Sequence, residues 1–218
     1  MEARRPASRG SYAKGVAKRE EILERALDVV AREGYRGASV KEIADAVGLS
    51  QAGLLHYFES KEELFTEILR KRDELDVVHA GFLVDAKGHP LRPDEIDLDE
   101  LHRGYVGAIR HNTEVPGLVQ LFARLAVDAA DPEHPAHHYF VERGAALRDV
   151  FVSALAHHQA AGRITDRVDA DTIARLLQAA ADGLHVQWML EPDLDMAAAM
   201  EALFELLHPR PQERNADT

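Results

Sequence analysis

Residues 39–65 read SVKEIADAVGLSQAGLLHYFESKEELF, and the fold follows from this stretch. Ser39 and Glu42 have the spacing of a capping box, and Val40, Ile43, Ala44 and Val47 then recur on one helical face. Gly48 supplies a stop that tolerates positive φ, and Leu49 fills the corner behind it. Ser50 can cap a second short helix, with Leu54 and Phe58 inward and Gln51, Ala52, Gly53, His56 and Tyr57 outward or at the rim. Ser60 and Glu63 repeat the capping-box spacing at the start of a third. Two short helices across a tight turn make a helix-turn-helix, whose second helix fits the major groove of DNA.

Working outward, a first helix is expected from about Ala17 to Glu33, buried along Ile22, Leu23, Ala26, Leu27, Val29 and Val30 and ended by Gly34. The helix after Ser60 is long, reaching past Val78. Lys87 to Pro93, with Gly88 and Pro90, reads as a loop. Beyond it every segment has helical period and none alternates like a strand. Asp97, Pro116, Asp169 or Asp171, and Asp195 mark helix starts, and a long helix runs from about Ala136 to Ala161. The expected architecture is all-α, with about nine helices. It divides into a flexible basic arm (1–16), a helix-turn-helix DNA-binding domain (17–62, with a connecting helix from about 61), a helical body (63–208) and a polar tail (209–218).

Charge is distributed unevenly. The net charge of −12 argues at first against nucleic acid, but residues 1–75 are balanced and the whole deficit falls after them. Within residues 1–19, Arg4, Arg5, Arg9, Lys14, Lys18 and Arg19 oppose only Glu2. Such an arm can touch phosphate while an acidic remainder stays off the duplex; the alternative is a solubilising tail. The absence of cysteine excludes disulfides and thiolate metal sites. No apolar run is long enough for a membrane span and no signal-peptide core is present, so a cytoplasmic protein is expected.

The stretch GYRGASVKEIADAVGLSQAGLLHYFESKEELF, with the helix order around it, resembles the TetR family of transcriptional regulators. The resemblance implies a three-helix DNA-binding head, a connecting helix and a ligand-binding, dimerising helical body. It implies backbone contacts from Val40 and Lys41, a recognition face of Gln51, Ala52, Gly53, Leu55 and Tyr57, and a phosphate contact from Lys61. Leu55 and Gly53 stand where the family often has Tyr and Thr, which leaves Gln51 as the best reader of a base edge. The resemblance further implies a cavity between body helices, which makes Phe82, Tyr105, Phe122, Phe140, Phe151 and Trp188 candidate lining and suggests an apolar or aromatic effector.

Wide apolar faces on the last two helices, carrying Leu176, Ala180, Gly183, Leu184, Leu203 and Phe204, are expected to form a homodimer interface that a palindromic operator would require, the alternative being that they only cap the monomer core. Histidines offer a competing reading. His134, His137 and His138 cluster near Glu133 and Glu142, and Asp99 precedes His102 by three, but neither set completes a metal site, and no cofactor is expected. The leading function is a repressor that binds a palindromic operator and is released by a small molecule. The alternatives are a DNA-binding regulator without such an effector or, less favoured, an all-α metal-dependent hydrolase.

Overall fold

The structure is a computed structural model that describes residues 9–80, 92 and 96–207. Among these residues there are nine α-helices and no strand: α1 (Arg9–Gly37), α2 (Val40–Ala46), α3 (Gln51–Leu54), α4 (Lys61–Ala80), α5 (Leu98–Asn112), α6 (Pro116–Asp128), α7 (His137–Ala160), α8 (Ala170–Leu190) and α9 (Met196–Glu205). The all-α expectation holds. No described helix is long and apolar enough to cross a membrane. Phe82, the expected loop over 87–93 apart from Arg92, and the tail from 209 lie outside the described residues.

Helix α1 begins at Arg9, so half of the segment expected to be a flexible arm is helical. Gly34, at φ 71° and ψ 169°, breaks its helical geometry where expected. Two of the basic residues counted within 1–19 form ion pairs with the chain itself. Arg19 pairs with Glu67 at 3.0 Å and Glu63 at 3.4 Å and lies over the Phe58 ring, tying α1 to α4. Lys18 instead pairs with Glu21, one turn along its own helix, at 2.9 Å.

Local chemistry sets the short helices. Ser39 Oγ accepts from the Glu42 N–H at 3.2 Å, and the Glu42 carboxylate accepts from the Ser39 N–H at 2.7 Å, closing the capping box. Those bonds hold the Glu42 carboxyl below the usual range. Ser50 Oγ accepts from the Gly53 N–H at 3.0 Å. Gly48, at φ 68°, makes the turn between α2 and α3 in a conformation that a Cβ would strain. At α4 the expected box is altered: Ser60 Oγ accepts from the Glu63 N–H, but the Glu63 carboxylate reaches back one residue further, to the Glu59 N–H.

Two buried clusters organise the chain. The first joins α1 (Ile22, Ala26, Val30), α2 (Ile43), Leu54, Phe58 and α4 (Leu64, Ile68, Leu69) to Leu118, Leu121 and Leu125 of α6 and Tyr139 of α7. The second joins α5, the later half of α7, α8 and α9 around Leu101, Tyr105, Phe151, Leu155, Leu177 and Met200. Fully burying each large aliphatic side chain stabilises by roughly 1.5–3 kcal/mol before entropy is subtracted. The core of the head therefore continues across residue 62 into the body. Helix α6 lies so close to α1 that a Cβ on Gly117 would sit 1.9 Å from the Val30 carbonyl oxygen and 2.8 Å from Gly34 Cα.

Candidate DNA-binding face and effector cavity

The face that could meet DNA is assembled by the α2–turn–α3 unit and the start of α4. Lys41, Gln51, Ala52, Leu55 and Lys61 are exposed, and Gly53 is half-buried. Val40 and Tyr57 are also half-buried, packed against the core of the head, so each divides its surface between packing and the rim. Tyr57 meets His56 edge-on at 6.0 Å. Lys61 Nζ stands 5.4 Å from the Phe65 ring at the N-terminus of α4, where unpaired backbone N–H groups favour an anion. Leu54 and Phe58 anchor this surface from behind, at 0% and 2% exposure. Because α3 spans only Gln51–Leu54, Leu55 and Tyr57 are presented by the turn that follows it rather than by helix.

A cavity of about 320 Å³ lies among α4, α5, α6, α7 and α8. Tyr105 and Phe122 line it, together with Ile109, Val119, Leu147 and Val150. Phe140, Phe151 and Trp188, expected there, do not. Phe140 packs on Phe122 with ring centroids 5.1 Å apart, Phe151 stands behind Tyr105 at 4.9 Å, and Trp188 packs against the second cluster. Phe140 and Phe151 thus pack behind rings that line the cavity, and none of the three forms its wall.

The wall is also more polar than a purely apolar site. Arg72 donates to Asn112 Oδ1 at 2.6 Å and pairs with Asp76 at 3.1 Å. Because a guanidinium only donates, Asn112 presents its amide NH₂ to His185 Nε2, 2.8 Å away. His185 is then neutral with its proton on Nδ1, and Nδ1 is buried without a hydrogen-bond partner. Burial first, and then Arg72 and Arg143, hold its pKa down at about 4. A second group centres on Asp73, which accepts from Tyr139 Oη at 2.6 Å and from Arg143 Nε at 2.9 Å. The Arg143 guanidinium covers the Phe122 ring at 4.8 Å. Periodicity could not single out Arg72, Asn112 or His185, since polar residues on mainly apolar faces resemble rim positions until helices are assembled.

Of the residues expected at a dimer interface, Phe204 is 3% exposed and stacks on His102 at 4.5 Å, inside the chain's own core. Ala180, Leu184 and Leu203 are half-buried against that same core. The outer face of α8 carries Leu176, Ala179, Gly183, Val186 and Leu190, spaced three and four apart, with Leu176, Val186 and Leu190 at 56%, 47% and 78% exposure. A Cβ on Gly183 would meet nothing. Histidines of the competing reading serve local structure. His134 Nδ1 accepts from the Ala136 N–H, His137 Nδ1 donates to the Ala129 carbonyl at 2.8 Å, and His138 pairs with Glu142 in the open.

Comparison with known proteins gives the family and the fold. Residues 22–68 match the family described as "Bacterial regulatory proteins, tetR family", and residues 126–208 match "BetI-type transcriptional repressor, C-terminal". The chain is 30% identical over 165 residues to the HTH-type transcriptional repressor KstR2 of Mycobacterium tuberculosis, covering 74% of this chain and 76% of that one. It is 42% identical over 55 residues to the HTH-type transcriptional regulator RutR of Escherichia coli, covering 25% of this chain and 26% of that one. A TetR transcription regulator from Haloarcula marismortui superposes with a TM-score of 0.69 at 20% identity, covering 88% of this chain and 97% of that one, which shows the shared fold. The chain belongs to the TetR family of bacterial DNA-binding transcriptional regulators.

Proposed function

We propose that this protein is a cytoplasmic repressor that grips a palindromic operator as a homodimer and lets go when a small molecule fills the cavity. The observation that carries the reading is the position of α4. Its first residue, Lys61, stands on the candidate DNA face, and Arg72, Asp73 and Asp76, further along the same helix, line the cavity. A ligand that moves those three side chains acts on the helix that carries the head. Two heads must sit about 34–36 Å apart to reach successive major grooves, so a modest tilt of α4 loses one half-site. Repression is supported by the name of the KstR2 relative. Dimerisation is supported by the apolar outer face of α8, where the small residues Ala179 and Gly183 would let a symmetry mate approach closely.

Such a ligand works only through unequal affinity for the two states, so DNA must weaken ligand binding by the factor by which ligand weakens DNA binding. The test is a pair of titrations of a cavity-binding compound, with and without operator DNA recovered by selection from the native genome. Equal ligand affinity in both would sink release by effector and leave a DNA-binding regulator controlled in another way.

A further inference from the structure

The charges around the cavity do not balance, and the imbalance identifies a ligand chemistry. Five acidic and basic side chains line it among the described residues: Arg72 and Arg143 against Asp73, Asp76 and Asp182. Arg72 is paired with Asp76, and Arg143 with Asp73. His185 is neutral and supplies no further positive charge. Asp182 has no hydrogen bond or ion pair among the described residues. It is exposed at the cavity wall, yet burial raises its carboxyl above the ordinary range even though Arg143 opposes that shift. Burial, and after it the field of Asp182, holds the Tyr105 hydroxyl in its protonated form. Gln178, one helical turn before Asp182 on α8, lines the same wall and offers a second acceptor.

We infer that the cavity takes a small apolar amine, with its ammonium group against the Asp182 carboxylate and its body against Ile109, Val119 and Phe122. This rests on the cavity being the effector site. An anionic ligand would add a second uncompensated negative charge beside two guanidiniums already committed to carboxylates. A neutral ligand would shield the Asp182 carboxylate from water and leave it only the field of Arg143, which is already paired with Asp73. A monocation cancels the imbalance. The cavity of about 320 Å³ stands at the lower end of ligand-pocket volumes, which suits one ring on a short chain rather than a multi-ring molecule.

Three compounds sharing a phenyl ring on a short chain separate the possibilities: 3-phenylpropylamine, 3-phenylpropan-1-ol and 4-phenylbutanoate, titrated calorimetrically into the whole protein without DNA. The amine is expected to bind about tenfold more tightly than the alcohol, with the anion weakest, and Asp182→Asn is expected to bring the amine down to the affinity of the alcohol. Equal binding of amine and alcohol, tighter binding of the anion, no amine binding at millimolar concentration, or an amine preference that survives Asp182→Asn each overturns the assignment. Those outcomes concern the head group alone. Failure of the effector reading shows separately, as a compound that binds here yet leaves operator affinity unchanged.

Discussion

Lys61 and Gln51 stand on one exposed face but should fail differently when truncated. A lysine at a helix N-terminus meets phosphate, which is the same at every sequence, so Lys61→Ala is expected to weaken binding to all DNA and to reduce the salt slope by about one unit. A glutamine amide can pair with adenine N6 and N7, so Gln51→Ala is expected to relax preference at one operator position, at a cost of roughly 1–3 kcal/mol. Salt titrations on operator and scrambled DNA distinguish the two; unchanged operator affinity in both variants would mean that another surface meets DNA. His185 gives a second expectation at this scale. Its folded pKa, about 4, lies below the ordinary 6.5. The unfolded chain therefore takes up a proton that the folded chain refuses as pH falls between those values. Stability is complete above 6.5 and drains away toward pH 4, by at most about 3 kcal/mol from this residue. His185→Gln should flatten that part of the stability profile, while burial likewise lowers the pKa of His158 and keeps some slope in place. Identical slopes in wild type and variant would show that His185 takes up its proton as readily in the folded chain as in the unfolded one.

Among the elements, α8 shows how an apolar helix can be read two ways. Leu177, Ala180, Leu184 and Trp188 form one series three and four residues apart, and Leu176, Ala179, Gly183, Val186 and Leu190 form another. Both satisfy helical spacing. The first is turned inward because α7 and α9 pack there, and the second is left outside. Only assembly could choose, which is why the sequence reading mixed the two and included Phe204, a residue of the monomer core. Gly183→Arg places a long charged chain on the outer face from a Cβ that meets no neighbouring atom within 4 Å. It is expected to give monomers with undiminished helix content and to abolish two-site operator binding. Sedimentation of an unaltered dimer would move the interface elsewhere.

For the whole molecule, the decisive feature is the joint between head and body. Residues of α1, α4 and α6 share one buried cluster, so a displacement of α6, which also presents Val119 and Phe122 to the cavity, is felt by the head. Gly117 permits that joint: a methyl group there would overlap the Val30 carbonyl, and backbone on a packed helix has little room to retreat. Gly117→Ala is expected to destabilise the protein by about 1–3 kcal/mol, read as a lower denaturant midpoint. An unchanged midpoint would mean that α6 is not seated against α1 in solution.

Whatever depends on neighbours along the chain was legible in the order of the residues. The capping serines and aspartates, the positive-φ glycines at 34 and 48, the inward stripe from Ile22 to Val30 and the helix-turn-helix all follow from interactions within a few residues, and those act the same way before and after folding. The tertiary structure alone decided which aromatic side chains face the cavity and which merge with core. It alone brought Arg72, Asn112 and His185 together across 40 and 73 residues of chain, and it set Asp182 on the cavity wall with no ion pair of its own among the described residues. Those outcomes rest on how helices distant in sequence are rotated and spaced against one another. Periodicity defines which face of a helix is apolar, but not which neighbour that face will meet.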